Sequence, residues 1–87
     1  MPERTIAVGG EQLTSLSAST ALASIPSNAG WAIIKSKSAA INLRLNGGTA
    51  TATDMSIPAD TPVEITSTLA DVRIIGAGAT VDVWYFG

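Results

Sequence analysis

The sequence predicts an all-β fold, a small antiparallel β-sandwich or barrel of about seven to eight short strands. Three observations point there. Apolar residues recur at every second position in several runs, as one-sided strands require. Clusters of Gly, Asn and Pro interrupt those runs at roughly 8–12-residue intervals. No amphipathic helix of ordinary length competes with them. Eighty-seven residues make one domain, so 1–87 is expected to be a single unit.

Taken along the chain, Thr5–Val8 is a strand candidate, and Leu13–Ser17 and Ala21–Ile25 are weaker ones. Leu13, Leu16 and Ala23 also recur at helical spacing, but Thr20 interrupts that face, and strand is the preferred reading. Residues 2–27 are polar and poorly patterned. Part of 1–27 is expected to be an extended N-terminal arm that orders on a neighbour and loses its conformational entropy only there. Trp31–Lys35 is a clear strand. Ile41, Leu43 and Leu45 alternate with Asn42 and Arg44, and Asn46-Gly47-Gly48 then supplies a turn, because Asn and Gly tolerate positive φ. Thr49–Thr53 is β-branched at every second position and suits a strand or extended edge. Met55–Ile57 is a short alternation that ends at the Pro58–Pro62 loop. Val63 and Ile65 form the next strand, Val72 and Ile74 another, and Gly76–Ala79 a turn. In Thr80–Phe86, Val81, Val83 and Tyr85 point one way, and Asp82, Trp84 and Phe86 the other.

A chain of this size buries only about 60–65% of its unfolded surface, so it benefits from external support. With no Cys and no His, disulfides are excluded and most metal sites with them, leaving partner subunits as the expected support. The net charge of −2 argues against nucleic acid. Met1–Gly10 does not read as a secretory signal, and the longest uncharged stretch, Gln12–Ile34, is too rich in Ser, Thr, Gly and Pro for a membrane span. Charged residues are 14% of the chain, against about 25% in an ordinary soluble domain. Either the surface is a thinly charged one covered by hydroxyls, or much of it is covered by neighbours, where charge is costly to desolvate.

No catalytic residues are assigned, and no enzyme is expected. Without His or Cys neither a Ser-His-Asp triad nor a Cys-His pair can be assembled. Lys35 and Lys37 interleave with Ser36 and Ser38, but on a strand the lysines share one face and the serines the other. Asp54, Asp60, Glu64, Asp71 and Asp82 scatter over strand positions and loops, which suits neither a glycosidase pair nor a calcium loop. Gly9-Gly10, Gly47-Gly48 and Gly76-Ala77-Gly78 fit no phosphate-loop spacing and read as turn glycines. No cofactor is implied.

The aromatic residues carry the functional expectation. If Tyr85 joins Val81 and Val83 in the core, Trp84 and Phe86 lie on the opposite face of the same strand, and a sandwich sheet buries only one face. Another subunit is the simplest cover; a loop of the same chain and a carbohydrate are the alternatives. Trp84, Phe86, Trp31 and Ile75 are the expected interface residues.

Across residues 31–87 the layout resembles small virion proteins of tailed bacteriophages. Trp31–Lys35, Ile41–Leu45 with its Asn46-Gly47-Gly48 turn, the Thr49–Thr53 stretch, Asp71–Ile75, the Gly76–Ala79 turn and the aromatic Thr80–Phe86 strand carry the resemblance. It implies a capsid decoration (cement) protein or other head-accessory subunit, located in the virion after assembly in the host cytoplasm. Its partners would be the major capsid protein or other virion subunits, and it would form a homo-oligomer, with a trimer favoured. A tail or fibre-attachment component is compatible with the same layout. The alternative is a small carbohydrate-binding or adhesin-like sandwich, which needs Trp31, Trp84 or Tyr85 exposed.

Overall fold

The computed structural model describes residues 6–87. Eight strands run β1 (Ala7–Leu13), β2 (Thr20–Ala21), β3 (Trp31–Lys37), β4 (Ile41–Arg44), β5 (Met55–Ile57), β6 (Pro62–Ile65), β7 (Arg73–Ile75) and β8 (Thr80–Phe86). They form two four-stranded antiparallel sheets, ordered β1-β8-β3-β6 and β2-β7-β4-β5. This is the sandwich that the period-two patterning predicts. Among the described residues the only helical element is a single 3-10 turn, Leu69–Asp71.

The core lies between the sheets. Tyr85, Val83 and Val81 of β8 and Ala32 and Ile34 of β3 meet Ile41 and Leu43 of β4 and Ile74 of β7, all essentially inaccessible to solvent. β8 owes its central place to composition: a run of β-branched and aromatic residues, broken only by Asp82, pairs on both edges over residues 81–86. Only the β4–β5 connection stays within one sheet; every other link crosses between them. Gly76 and Gly78 serve one such crossing. A Cβ on Gly76 would lie 2.8 Å from both the Ala40 carbonyl oxygen and Ile41 Cγ2, and Gly78 adopts φ +79°.

Several local expectations are corrected. Thr49–Thr53 is neither strand nor sheet edge. The Asp54 carboxylate accepts from the Thr51 amide at 2.7 Å, while Arg44 donates to its other oxygen at 3.1 Å. That local network competes with a ladder and closes a turn. Leu13–Ser17 and Ala21–Ile25 are mostly loop. Leu13 ends β1, and Leu16 and Leu22 drop into the core from irregular backbone, so spacing there reported burial rather than strand or helix. Gly9 and Gly10 are not turn glycines. They sit inside β1 beside a register shift, where the ring of Pro26 packs over Gly9 and that of Trp84 over Gly10. The described part of the expected arm, 6–27, is knit into the fold through β1 and the buried Leu13, Leu16 and Leu22; residues 1–5 lie outside the described residues.

The free edges are poor templates for strand addition. β2 has two residues, β5 three, and β6 opens with Pro62, which has no N–H to offer. Alongside β1, the 22–26 segment is anchored to Glu11 and Pro26 packs on Gly9. What the molecule offers a neighbour is its faces.

Candidate interaction face

The outer face of the β1-β8-β3-β6 sheet is where the sequence-predicted site residues gather. Register sets Trp84 opposite Ile33 on β3 and Gly10 on β1, and Phe86 opposite Trp31. Because Ala32, Ile34, Val83 and Tyr85 point into the core, Trp31, Ile33, Trp84 and Phe86 point away from it. Trp31 and Phe86 stack with ring centroids 4.5 Å apart and planes at 21°. Trp31 is buried and Phe86 half-buried, so this pair covers itself in part.

Trp84 is different. Its indole is 57% exposed and is the largest apolar group at the surface of the described residues. Its six-membered ring leans across β1 over Gly10: a Cβ there would stand 3.0 and 3.2 Å from Trp84 Cε3 and Cζ3. The missing side chain is what lets the ring lie down on the sheet, and it leaves the outward side of the indole open. Beside it runs a shallow trough of about 440 Å³ lined by Gly10, Glu11, Asp82, Val83 and Trp84.

Charge is arranged around this apolar row. Lys35 stands opposite Asp82, and Lys37 forms an ion pair with it at 2.8 Å. Gln12 donates to the same carboxylate at 2.9 Å. The Lys37 and Gln12 hydrogen bonds hold the Asp82 carboxyl below the usual carboxylate range, helped by the charges of both lysines against a small opposing effect of burial. Glu64 completes the row Trp84–Ile33–Glu64 and is exposed, with no ion pair among the described residues.

Ile75 does not join this face. It belongs to β7 of the other sheet, where Ile74 points inward and Ile75 outward. There it lines a separate groove of about 200 Å³ with Ser17, Asn42, Ala52, Gly76 and Ala77. Two opposite outer faces thus share the four expected interface residues.

One arrangement escaped the sequence reading. Glu11 accepts from the Ser24 amide at 2.8 Å, from the Ala23 amide at 3.3 Å and from the Tyr85 hydroxyl, so one carboxylate joins β1, β8 and the 22–24 loop. Burial pushes the Tyr85 hydroxyl far above its ordinary range, with the hydrogen bond to Glu11 and its negative charge adding to the effect. The signal was available: Glu11 lies two residues before Leu13 and shares its face on a strand.

The serines beside the lysines form no dyad. Ser36 is buried on the core side of β3 and donates to the Ala39 carbonyl at 2.5 Å, and Ser38 has left the strand with φ 74°. Among the described residues, no three Asp or Glu side chains converge as a metal site would require. No helix among them is long and apolar enough to cross a membrane. No protein-family model, curated protein or solved structure matches the chain.

Proposed function

We propose that this chain is a structural subunit of a tailed-phage virion, a decoration or other accessory protein that works by packing against other protein through its sheet faces. The observation that carries the packing role is Trp84, an indole laid flat on a sheet and open on its outer side, in line with Ile33 and next to the Trp31–Phe86 stack. A solvent-facing indole of this kind is costly to leave wet and fits the aromatic anchors of protein interfaces. The blunted edges favour contact by faces over contact by strand addition. The assignment to a virion rests on the layout of residues 31–87.

A second reading has its own observation. An indole open on one side, beside a trough that Asp82 helps to line, is also a platform on which a sugar ring could stack. The two readings separate by experiment. Sedimentation over a wide concentration range should show self-association that Trp84→Ser removes while the circular dichroism of the fold is retained. A monomer at every concentration whose tryptophan emission responds to added oligosaccharides would overturn the packing role in favour of glycan binding.

A further inference from the structure

We propose that two copies of this chain pair face to face on the outer side of the β1-β8-β3-β6 sheet, about a two-fold axis that runs along the strands midway between β8 and β3. This rests on the packing role proposed above and names the partner as a second copy. The face is its own complement. Such an axis lays β8 of one copy over β3 of the other, and β1 over β6. Each outward residue of β8 then meets, on the second copy, the counterpart of its own neighbour on β3. Trp84 seats on Ile33 of the second copy, Ile33 on its Trp84, and the two Trp31–Phe86 stacks meet each other. One step along the strands, Asp82 comes over Lys35 and Lys35 over Asp82.

Both groups can take that contact. Lys35 is exposed and has no ion pair among the described residues. Lys37 and Gln12 hold Asp82 through separate oxygens, and a carboxylate offers about four lone-pair sites, so it has room for a second ammonium.

Charge singles out this axis. Moved onto β8, it would set Asp82 on Asp82; moved onto β3, it would set Lys35 on Lys35 and Lys37 on Lys37. Turned across the strands through the same centre, it would set Glu64 on Glu64 and Asp82 on Phe86. Like charges held together across an interface are strongly unfavourable. Of these placements the midline alone joins opposite charges and also joins apolar groups. Lys37 then faces Thr80, and Glu64, on the edge strand, faces Gly10, where no side chain stands.

Shape agrees, and area sets the strength. The Trp84 ring lies flat over Gly10, so the face stays low enough for two sheets to stack in the aligned way of sandwiches. Three strands of seven residues and one of four, about 4.8 Å apart and rising about 3.3 Å per residue, make a footprint of roughly 400 Å². Two footprints total about 800 Å², below the roughly 1,200–2,000 Å² of stable complexes, which makes this a weak, concentration-dependent dimer.

Sedimentation equilibrium from about 1 μM to about 1 mM should show monomer and dimer exchanging. Trp84→Ser, Lys35→Glu and Asp82→Lys should each weaken the dimer by about tenfold or more, with the circular dichroism of the fold retained. The chain carrying both Lys35→Glu and Asp82→Lys should dimerise again, and an equal mixture of the two single variants should form mixed dimers. Lys35→Glu breaks no ion pair among the described residues, so it decides the point alone if Asp82→Lys fails to fold. A wild-type dimer that Lys35→Glu leaves intact would overturn the proposed two-fold, as would a trimer or a charge swap that rescues nothing. Loss of association in Trp84→Ser would then still leave the packing role standing. A wild type that is monomeric throughout would sink the dimer, and the packing role would fall with it only if the indole emission also responded to oligosaccharides.

Discussion

Tyr85 offers the sharpest check on the interior, because it is the chain's one tyrosine and its phenolate absorbance reports a single site. The hydroxyl donates to Glu11, which keeps two amide donors when that bond is lost. Tyr85→Phe should therefore cost about 1.5 kcal/mol at neutral pH, the low end for a bond to a charged acceptor. Alkaline pH adds a second effect. Burial, with Glu11 behind it, raises the folded-state pKa above the unfolded value near 10, so between the two values the folded chain holds a proton that the unfolded chain releases. The stability from this group is whole below about pH 10 and falls above it, by up to about 1.4 kcal/mol per pH unit. Urea titrations at about pH 8, 10 and 11 should show the gap between wild type and Tyr85→Phe closing over the last interval. Phenolate absorbance should rise only as the circular dichroism of the fold is lost. A phenol that titrates fully near pH 10 in a still-folded chain would refute the burial and the Glu11 bond together.

At the 76–79 crossing, Gly76→Ala should cost about 1–3 kcal/mol, because its new methyl meets backbone as well as Ile41. Gly78→Ala meets nothing within 4 Å and should cost about 1 kcal/mol from its positive φ alone, both read from urea midpoints. Asp82, whose folded pKa is depressed by Lys37 and Gln12, contributes stability that is present above its unfolded value near 3.9 and is lost as pH falls through the lower folded value. Acid titrations of Asp82→Asn should lack that step, a difference under about 1 kcal/mol for so exposed a pair. Asp54→Ala should cost about 1–2 kcal/mol and speed amide exchange at Thr51, whose N–H it leaves without its acceptor.

Where alternation and composition agreed, the fold was legible. Thr80–Phe86 could be read residue by residue, inward and outward, because residues 81–86 of β8 have a neighbour on both sides and a core beneath them. Trp31–Lys35 was legible for the same reason, and so was Ile41–Leu45 except for Leu45, which lies beyond β4 and is exposed. Thr49–Thr53 misled because alternating threonines describe a surface suited to a strand but say nothing of a carboxylate one residue later that captures the amide and hydroxyl of Thr51. Gly9 and Gly10 misled because glycine marks both turns and close approach, and only the distant Pro26 and Trp84 rings show which. That Ile75 and Trp84 lie on different sheets was not legible, because which sheet a strand joins is decided by contacts far apart in sequence.

The position of β8 sets when this molecule can exist. It lies between β1 and β3, and pairs residues 7–13 with residues 81–86. Sheet order thus leaves the β1-β8-β3-β6 sheet for last: until residue 86 is available, β1 has no ladder and the inner side of β3 has no Val83 or Tyr85 to meet. The β2-β7-β4-β5 sheet can pair earlier, but its inner face has only part of its core to meet until then. Folding is then governed by the slow closure of a long loop, in the millisecond-to-second regime of sandwiches dominated by distant pairings. Until residue 86 is available the apolar residues of β1 and β3 lack their partners on β8, and such exposed apolar surface favours aggregation over folding.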